Sequence, residues 1–321
     1  MGGMNYQLGF VDEVTFATAL AVSRFAEYNA PAVPIKGMAG RTEGNPLRGV
    51  SRSRRQARTI PYFDHAEGTL SMDLMNKGFG FWFKHMMPNV VASGAGPFIY
   101  TATEGPNSSA LTGKSFTCQM NAPFTPTGTD QAVTFSGGKV PKWTLACDVD
   151  GMLTVDLDVW FATMTTATAL ATVAYPTNMT NFSWAGGVIQ IGGSAVDVTK
   201  IAIEVDQGYS LDRGFIRGNT TKKEPVPGKL SGTFSIEADF ESLVQWNRVH
   251  STTVSGMSAA IVGTWTNGAD IITATMPAAR FDDISLSGDE GESSNVLTGV
   301  MEYDGSASPI TLVYTTTDAT A

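Results

Sequence analysis

KVPKWTLACDVDGMLTVDLDVWF, residues 139–161, alternates apolar and polar side chains twice over. Trp143, Leu145, Cys147 and Val149 hold every second position, and Leu153, Val155, Leu157 and Val159 do so again after Asp150, Gly151 and Met152. A period of two belongs to a strand, whose successive side chains point to opposite faces of a sheet. The two runs therefore read as a hairpin. Facing Val149 with Leu153, Cys147 with Val155, Leu145 with Leu157 and Trp143 with Val159 keeps every apolar residue on one face. It leaves a three-residue loop in which Gly151 supplies the positive φ. Asp148, Asp156 and Asp158 then emerge together on the other face.

Working outward, VDVTKIAIEVDQG repeats the design, with Ile201, Ile203 and Val205 inward and Lys200, Glu204 and Asp206 outward. LSGTFSIEADF does so with Phe234, Ile236 and Ala238. The period then changes. In DFESLVQWNRVH, Asp239 is placed to cap a helix whose apolar side is Phe240, Leu243, Val244 and Trp246. Strands resume in AAIVGTWT, in DIITATMP ending at Pro277, in NVLTGVMEYD and in SPITLVYTTT. Upstream, Leu70, Met72 and Leu74 share a strand face before an aromatic helix near 77–87, closed by Pro88 and followed by a Gly/Pro/Ser-rich link at 93–114. Residues 1–65 lack periodicity and are broken by Pro31, Pro34, Pro46 and Pro61. The pattern predicts a mainly β chain: an antiparallel β-sandwich or barrel with a flanking α-helix, a long N-terminal arm with an Arg-rich loop (1–65) and a sandwich domain (66–321).

Charged residues make up only 16 % of the chain, so much of its surface is expected to face other protein. Cys118 and Cys147 fall in strands and read as small core residues of a chain folded in the cytoplasm, since one pair is no disulfide framework. The opening MGGMNYQLGFVDE carries acids where an export leader needs apolar residues, and no apolar run reaches membrane-spanning length. His65, His85 and His250 lie in unrelated elements without Cys or His at ligand spacing, so no metal or other cofactor is expected. LTGKS at 111–115 has Ser108 where a phosphate loop needs glycine, and counting from Asp148 a calcium loop would place Val159 at its bidentate position. Asp156 and Asp158 have three readings: a solvated face, an acid/base pair, or a wall of like charge in an assembly. No partner that would position them for catalysis is visible, and the chain is expected not to be an enzyme.

RGVSRSRRQARTIP sets Arg48, Arg52, Arg54, Arg55 and Arg58 without an acid in a chain of net charge -9. No aromatic residue between Arg48 and Arg58 offers a base a stacking partner, and nothing else supplies the positive face that DNA binding needs. A solvated loop and docking onto an acidic surface, for which SGDEGES supplies Asp289, Glu290 and Glu292, are the other readings.

GFVDEVTFATALAVSRFAEYN near the start, the Arg-rich loop, Gly68 leading to FGFWFKHMM, and SGTFSIEADFESLVQWNRVH followed by AAIVGTWT and IITATMPAARFDDIS together resemble the tail tube proteins (major tail proteins) of long-tailed, siphovirus-like bacteriophages. The resemblance covers most of the chain in order, through loose patterns. It implies a structural virion protein that forms hexameric rings, stacked into a hollow tail tube through which genome DNA is ejected. The implied partners are other copies of the chain, tail proteins such as the tape measure and terminator, and DNA in non-specific transit, with no membrane. The N-terminal arm and long loops are then expected to touch neighbouring subunits. Asp148, Asp156, Asp158, Glu204 and Asp206 are expected to face the lumen, and the Arg run to meet Asp289, Glu290 and Glu292 of a neighbour. The chain exceeds a minimal tube subunit, which leaves room for a peripheral insertion or for a trimer of duplicated units. The rival reading is a carbohydrate-binding or capsid-decoration sandwich, for which Trp160, Trp184 and Trp265 are the candidate aromatic platform.

Overall fold

The computed structural model describes residues 6–29, 34–44, 58–104, 111–122, 130–289 and 292–318. Strands β1 (Leu8–Asp12), β2 (Arg24–Ala26) and β3 (Lys36–Glu43) precede a 15-residue β4 (Thr59–Asp73) and helix α1 (Gly80–Met86). Strands β5 (Asn89–Ser93), β6 (Phe98–Thr103) and β7 (Phe116–Ala122) lead to an 18-residue β8 (Gln131–Asp148), which returns as β9 (Thr154–Phe161). Next come β10 (Thr163–Thr165), β11 (Gly187–Ile191), β12 (Ser194–Ala195), β13 (Val198–Asp206) and β14 (Ser231–Asp239), then helices α2 (Val244–Val249) and α3 (Val254–Met257). Strand β15 (Ser258–Asn267), a 20-residue β16 (Asp270–Asp289), β17 (Glu292–Met301) and β18 (Thr311–Thr316) complete the described chain.

The strand pairings are antiparallel and build two layers. One runs β3–β4–β9–β8–β13–β14–β17–β16, the other β12–β11–β15–β16–β18–β6–β5. Strand β16 belongs to both: Ile271–Thr275 pair with β18 and Ala279–Asp289 with β17. Strand β8 is divided likewise, its first part pairing with β7 and β10 and its second with β9 and β13. The inner faces are the period-two residues. Trp143, Leu145, Val155, Leu157, Ile203 and Phe234 of one layer and Ile261, Trp265, Ile272, Ala274, Leu312 and Tyr314 of the other are buried in one apolar cluster. Helix α1 has seven residues, too few to persist alone, so its aromatic faces hold it. Phe83 meets Tyr314 edge-on at 5.7 Å, and Trp82 meets Phe116 at 5.6 Å.

The mainly β sandwich matches the sequence reading, and six details differ. In the β8–β9 hairpin Leu145 faces Val155 and Trp143 faces Leu157, two residues from the expected register. Val149 and Leu153 are drawn elsewhere: the Val149 N–H donates to Thr199 O at 2.9 Å and the Leu153 N–H to Phe182 O at 2.9 Å. An even slip preserves the faces, so the aspartates stay outward. The positive φ belongs to Asp150, at 62°. Gly151 is needed instead for close approach, since a Cβ there would sit 3.0 Å from Asp148 O.

Strand β16 does not end at Pro277. The register jumps from Ala259 facing Ala279 to Ile261 facing Met276, and Pro277 occupies that irregularity, where a missing N–H breaks no ladder bond. Asp239 ends β14 and is no helix cap. Helix α2 starts later, with Leu243 and Val244 exposed and Trp246 and Val249 packed on the core. The link at 93–114 holds β6. The first 65 residues are not without regular structure: Leu8 and Phe10 of β1 are buried, and residue 66 lies inside β4.

Gly68 of β4 passes so close to the segment before β3 that a Cβ would come 2.3 Å from Pro34 O and 2.8 Å from Ile35 Cα. Gly68→Ala is expected to cost about 1–3 kcal/mol through overpacking, read as a lower Tm. An unchanged Tm would mean that this approach is not tight.

Candidate functional site: the charged outer face and the two strand ends

The outer surface of the β4–β9–β8–β13–β14 layer is set in rows by register. Thr69, Asp158, Lys142, Asp206 and Ser231 form one row, and Ser71, Asp156, Thr144, Glu204 and Thr233 the next. Asp73, Thr154, Ala146, Ala202 and Ser235 follow, and Asp148, Lys200 and Glu237 lie beyond. All five sequence-predicted acids, Asp148, Asp156, Asp158, Glu204 and Asp206, therefore share this face, separated by small hydroxyl and methyl side chains.

Two lysines moderate the face, and only Lys200 was visible as an outward residue in the sequence. Lys142 Nζ lies 2.8 Å from Glu204 and Lys200 Nζ 3.2 Å from Asp148. The hydrogen bond to Glu204 holds the Lys142 ammonium above its usual range, aided by the charges of Glu204, Asp158 and Asp206 against a small burial penalty. Thr69 Oγ1 donates to Asp158 at 2.6 Å, and Asp206 accepts from Gly208 N at 2.7 Å. Seven carboxylates, the five predicted ones with Asp73 and Glu237, against two ammonium groups leave the patch net negative. These partners fix side-chain positions by short bonds to neighbours, and none of the acids is aimed at a buried proton or nucleophile. A groove of about 1000 Å³ crosses the first row, lined by Lys36, Glu67, Thr69, Lys142, Asp158 and Tyr209 among others.

The ends of this layer differ in charge. At one end the β3–β4 hairpin leads to the Arg run, whose described member Arg58 is exposed beside Gly44, with Gly44 N donating to Arg58 O at 3.1 Å. Arg48, Arg52, Arg54 and Arg55 lie outside the described residues. The same end carries the 207–230 loop, joined to the hairpin by Lys222 Nζ at 3.0 Å from Asp64. At the other end, β14 and β17 pair up to Asp239 with Ser294, and the β16–β17 hairpin continues to Asp289 with Glu292. Glu290 lies outside the described residues. Register thus sets the end of the β3–β4 hairpin beside Arg58 and the Asp289–Glu292 end of the β16–β17 hairpin at opposite ends of one layer.

The histidines do not converge. His65 contacts Asp64 at 2.8 Å and Glu67 at 3.3 Å, His85 contacts Asp12 at 2.8 Å, and His250 reaches Trp246 O. Among the described residues no group of three metal-ligating side chains assembles, and no helix is long and apolar enough to cross a membrane. Cys118 and Cys147 are free and buried. Trp160 and Trp265 are buried and Trp184 is exposed, so the three do not form a platform.

Sequence reading missed the 207–230 loop as an element. Its signal is RGFIRGNTTKK, residues 213–223, four cations and two large apolar residues without an acid. The loop is fastened by Lys139, buried on β8, whose Nζ donates to Leu111 O at 3.0 Å, to Lys114 O and to Glu224 at 2.6 Å.

A family model described as "Phage tail tube protein" matches residues 5–315. No curated protein matches the chain.

Proposed function

The chain belongs to the phage tail tube protein family, and from that premise we propose that it assembles into stacked hexameric rings whose lumen conducts genome DNA. It is a structural component of the phage tail. In the proposed tube the charged outer face of β4, β9, β8 and β13 lines the channel. The observation that carries this reading is the row pattern: Asp148, Asp156, Asp158, Glu204 and Asp206 on one face, with Ser, Thr, Ala and two lysines between them and no aromatic side chain within the rows. Duplex DNA carries one negative charge per roughly 1.7 Å, and a net acidic wall repels it across the roughly 8–10 Å that salt leaves unscreened. DNA then passes without adhering. The unpaired outer edges of β3, β5 and β12 among the described strands suit pairing between neighbours around a ring.

The test is to replace Asp156 and Asp158 with Lys. Both are outward, so tubes are expected to form, now binding duplex DNA with an affinity that falls steeply with salt and slowing genome ejection. Tubes that ignore DNA as the wild type does, with ejection at the normal rate, would take this face out of the lumen.

The Arg run is assigned to stacking. Arg48, Arg52, Arg54, Arg55 and Arg58 of one ring dock on Asp289, Glu290 and Glu292 of the next, a reading supported by the opposite ends the two hairpins occupy. Exposed pairs contribute about 0.2–1 kcal/mol each, and repetition around a ring multiplies them. Changing Arg52, Arg54, Arg55 and Arg58 to Gln is expected to weaken stacking, most at low salt, by sedimentation. Salt-sensitive DNA binding by wild-type rings would instead return the run to nucleic acid.

A further inference from the structure

The loop between β13 and β14 and the helical segment after β14 occupy opposite ends of the same strand pair, about 30 Å apart at strand rise. Each exposes apolar side chains, and the net charges around them are opposite: on the loop Arg213, Arg217, Lys222 and Lys223 outnumber Asp212, which Lys222 pairs at 3.2 Å, and Glu224. On the loop, Phe215 is 52 % exposed and Ile216 wholly exposed, flanked by Arg213, Arg217 and Lys223. On the helical segment, Leu243, Val244 and Val254 are 58, 57 and 71 % exposed. Exposed Asp197, Asp239 and Glu241 stand in the adjoining strand ends and turn. Arg248, the cation within α2, is engaged internally: it donates to Ser258 O at 3.0 Å and lies over the Phe281 ring at 5.5 Å.

The loop is braced for presentation. Lys223 Nζ lies 4.9 Å and Arg213 Cζ 5.9 Å from the Phe215 ring centre, one cation from each limb. The Lys223 N–H donates to Arg213 O at 3.0 Å, the Arg213 side chain to Glu224 O, and Arg217 to Asn219 and Thr221 O. Holding the tip in one shape before contact reduces the ordering cost of binding. Nothing within the described chain covers Ile216.

We propose that the Phe215–Ile216 tip of one copy docks on the Leu243–Val244–Val254 surface of a second copy of this chain, head to tail. Two different patches at opposite ends of a strand pair form a heterologous contact, which repeats openly along an axis when its rotation does not close into a ring. The inference rests on the tube reading and adds a longitudinal contact separate from the Arg run. Large exposed apolar side chains gathered at one place and rimmed by polar and charged groups mark a protein-binding face.

The experiment uses the full-length chain. Ile216→Cys and Val244→Cys are combined in one chain, whose native cysteines are buried, and assembled protein is mildly oxidised. A ladder beyond dimers on a non-reducing gel, absent from either single variant, is expected. Separately, Ile216→Asp is expected to leave Tm unchanged and raise the concentration needed for polymerisation about tenfold or more, a change near 1.4 kcal/mol per contact. Normal tubes without a ladder, or Ile216→Asp polymerising at the wild-type concentration, overturn the docking and leave the tube reading standing. A wild-type chain that forms neither rings nor tubes overturns both.

Discussion

Lys139→Met is expected to lower the unfolding free energy by about 3–5 kcal/mol, because removing one member of a buried ion pair strands the other. Lys139 is 2 % exposed and Glu224 21 %, and their contact is 2.6 Å. Burial pushes the lysine's pKa down, and the hydrogen bond and charge of Glu224 oppose that. The ammonium also serves Leu111 O and Lys114 O, and Glu224 in turn accepts from Gly113 N at 2.6 Å. Methionine fills the volume and satisfies none of these acceptors. The 207–230 loop would lose its anchor to β8 as well, so faster proteolysis within 211–223 should accompany a Tm loss on the order of 10 °C. Adding Glu224→Gln should restore part of the loss, since the uncompensated charge is then gone. A single-variant cost below about 1 kcal/mol would mean that water takes over the acceptors.

Glu104→Gln is expected to act in the other direction, with a gain that grows as pH rises from about 4.5 to about 7 and is level above. The Glu104 carboxyl is pushed up from its ordinary 4.5 to about 7 by burial, a rise that the hydrogen bond from Gln207 only partly offsets. A carboxyl with a raised folded pKa holds its proton more firmly in the native state, so stability falls as pH rises from about 4.5 to about 7 and is level above. The full penalty is about 3 kcal/mol by the free energy of such a shift. Glutamine keeps the acceptor for Gln207 and cannot ionise. Urea titrations at pH 8 should find the variant more stable by up to about 3 kcal/mol, and at pH 4 the two proteins alike. Equal stability at both pH values would mean that Glu104 ionises at its ordinary value.

The faces of the strands were legible and their partners were not. Alternation in 143–147, 153–159, 201–205 and 234–238 placed the apolar side chains inward and the acids outward, because period two is a property of one strand, whereas Val149, read as inward, is exposed just past the end of β8. Register belongs to a pair of strands, and a slip of two leaves alternation untouched, so the pairing of Leu145 with Val155 had no local signature. Lys142 went unrecognised for a related reason: its meeting with Glu204 is made by two strands 62 positions apart. The first two strands were hidden by their brevity: β1 has five residues and β2 three, too few for a period of two to show, although Leu8 and Phe10 are buried where β1 joins β7. The 207–230 loop shows no periodicity, and its order comes from Lys139 and Asp64, both remote in sequence. Pro277 looked like a strand end because a proline normally is one; only the matching irregularity opposite Ala260 makes it passable.

Strand β16 crosses from one layer to the other without a break, and this has a mechanical consequence. In a sandwich whose layers are joined only by loops, a pull along the tail axis can shear one sheet over the other by breaking side-chain contacts one at a time. Here the same backbone is laddered to β15 and β18 on one stretch and to β17 on the next. Sliding would require a row of hydrogen bonds on either side of the crossing to fail together, and β8 imposes the same condition between β7 and β9. The subunit should therefore yield as a single stiff block, with strain concentrated at the contacts between subunits, and in the proposed tube a tail bent or stretched by its surroundings should flex between rings while each ring keeps its shape.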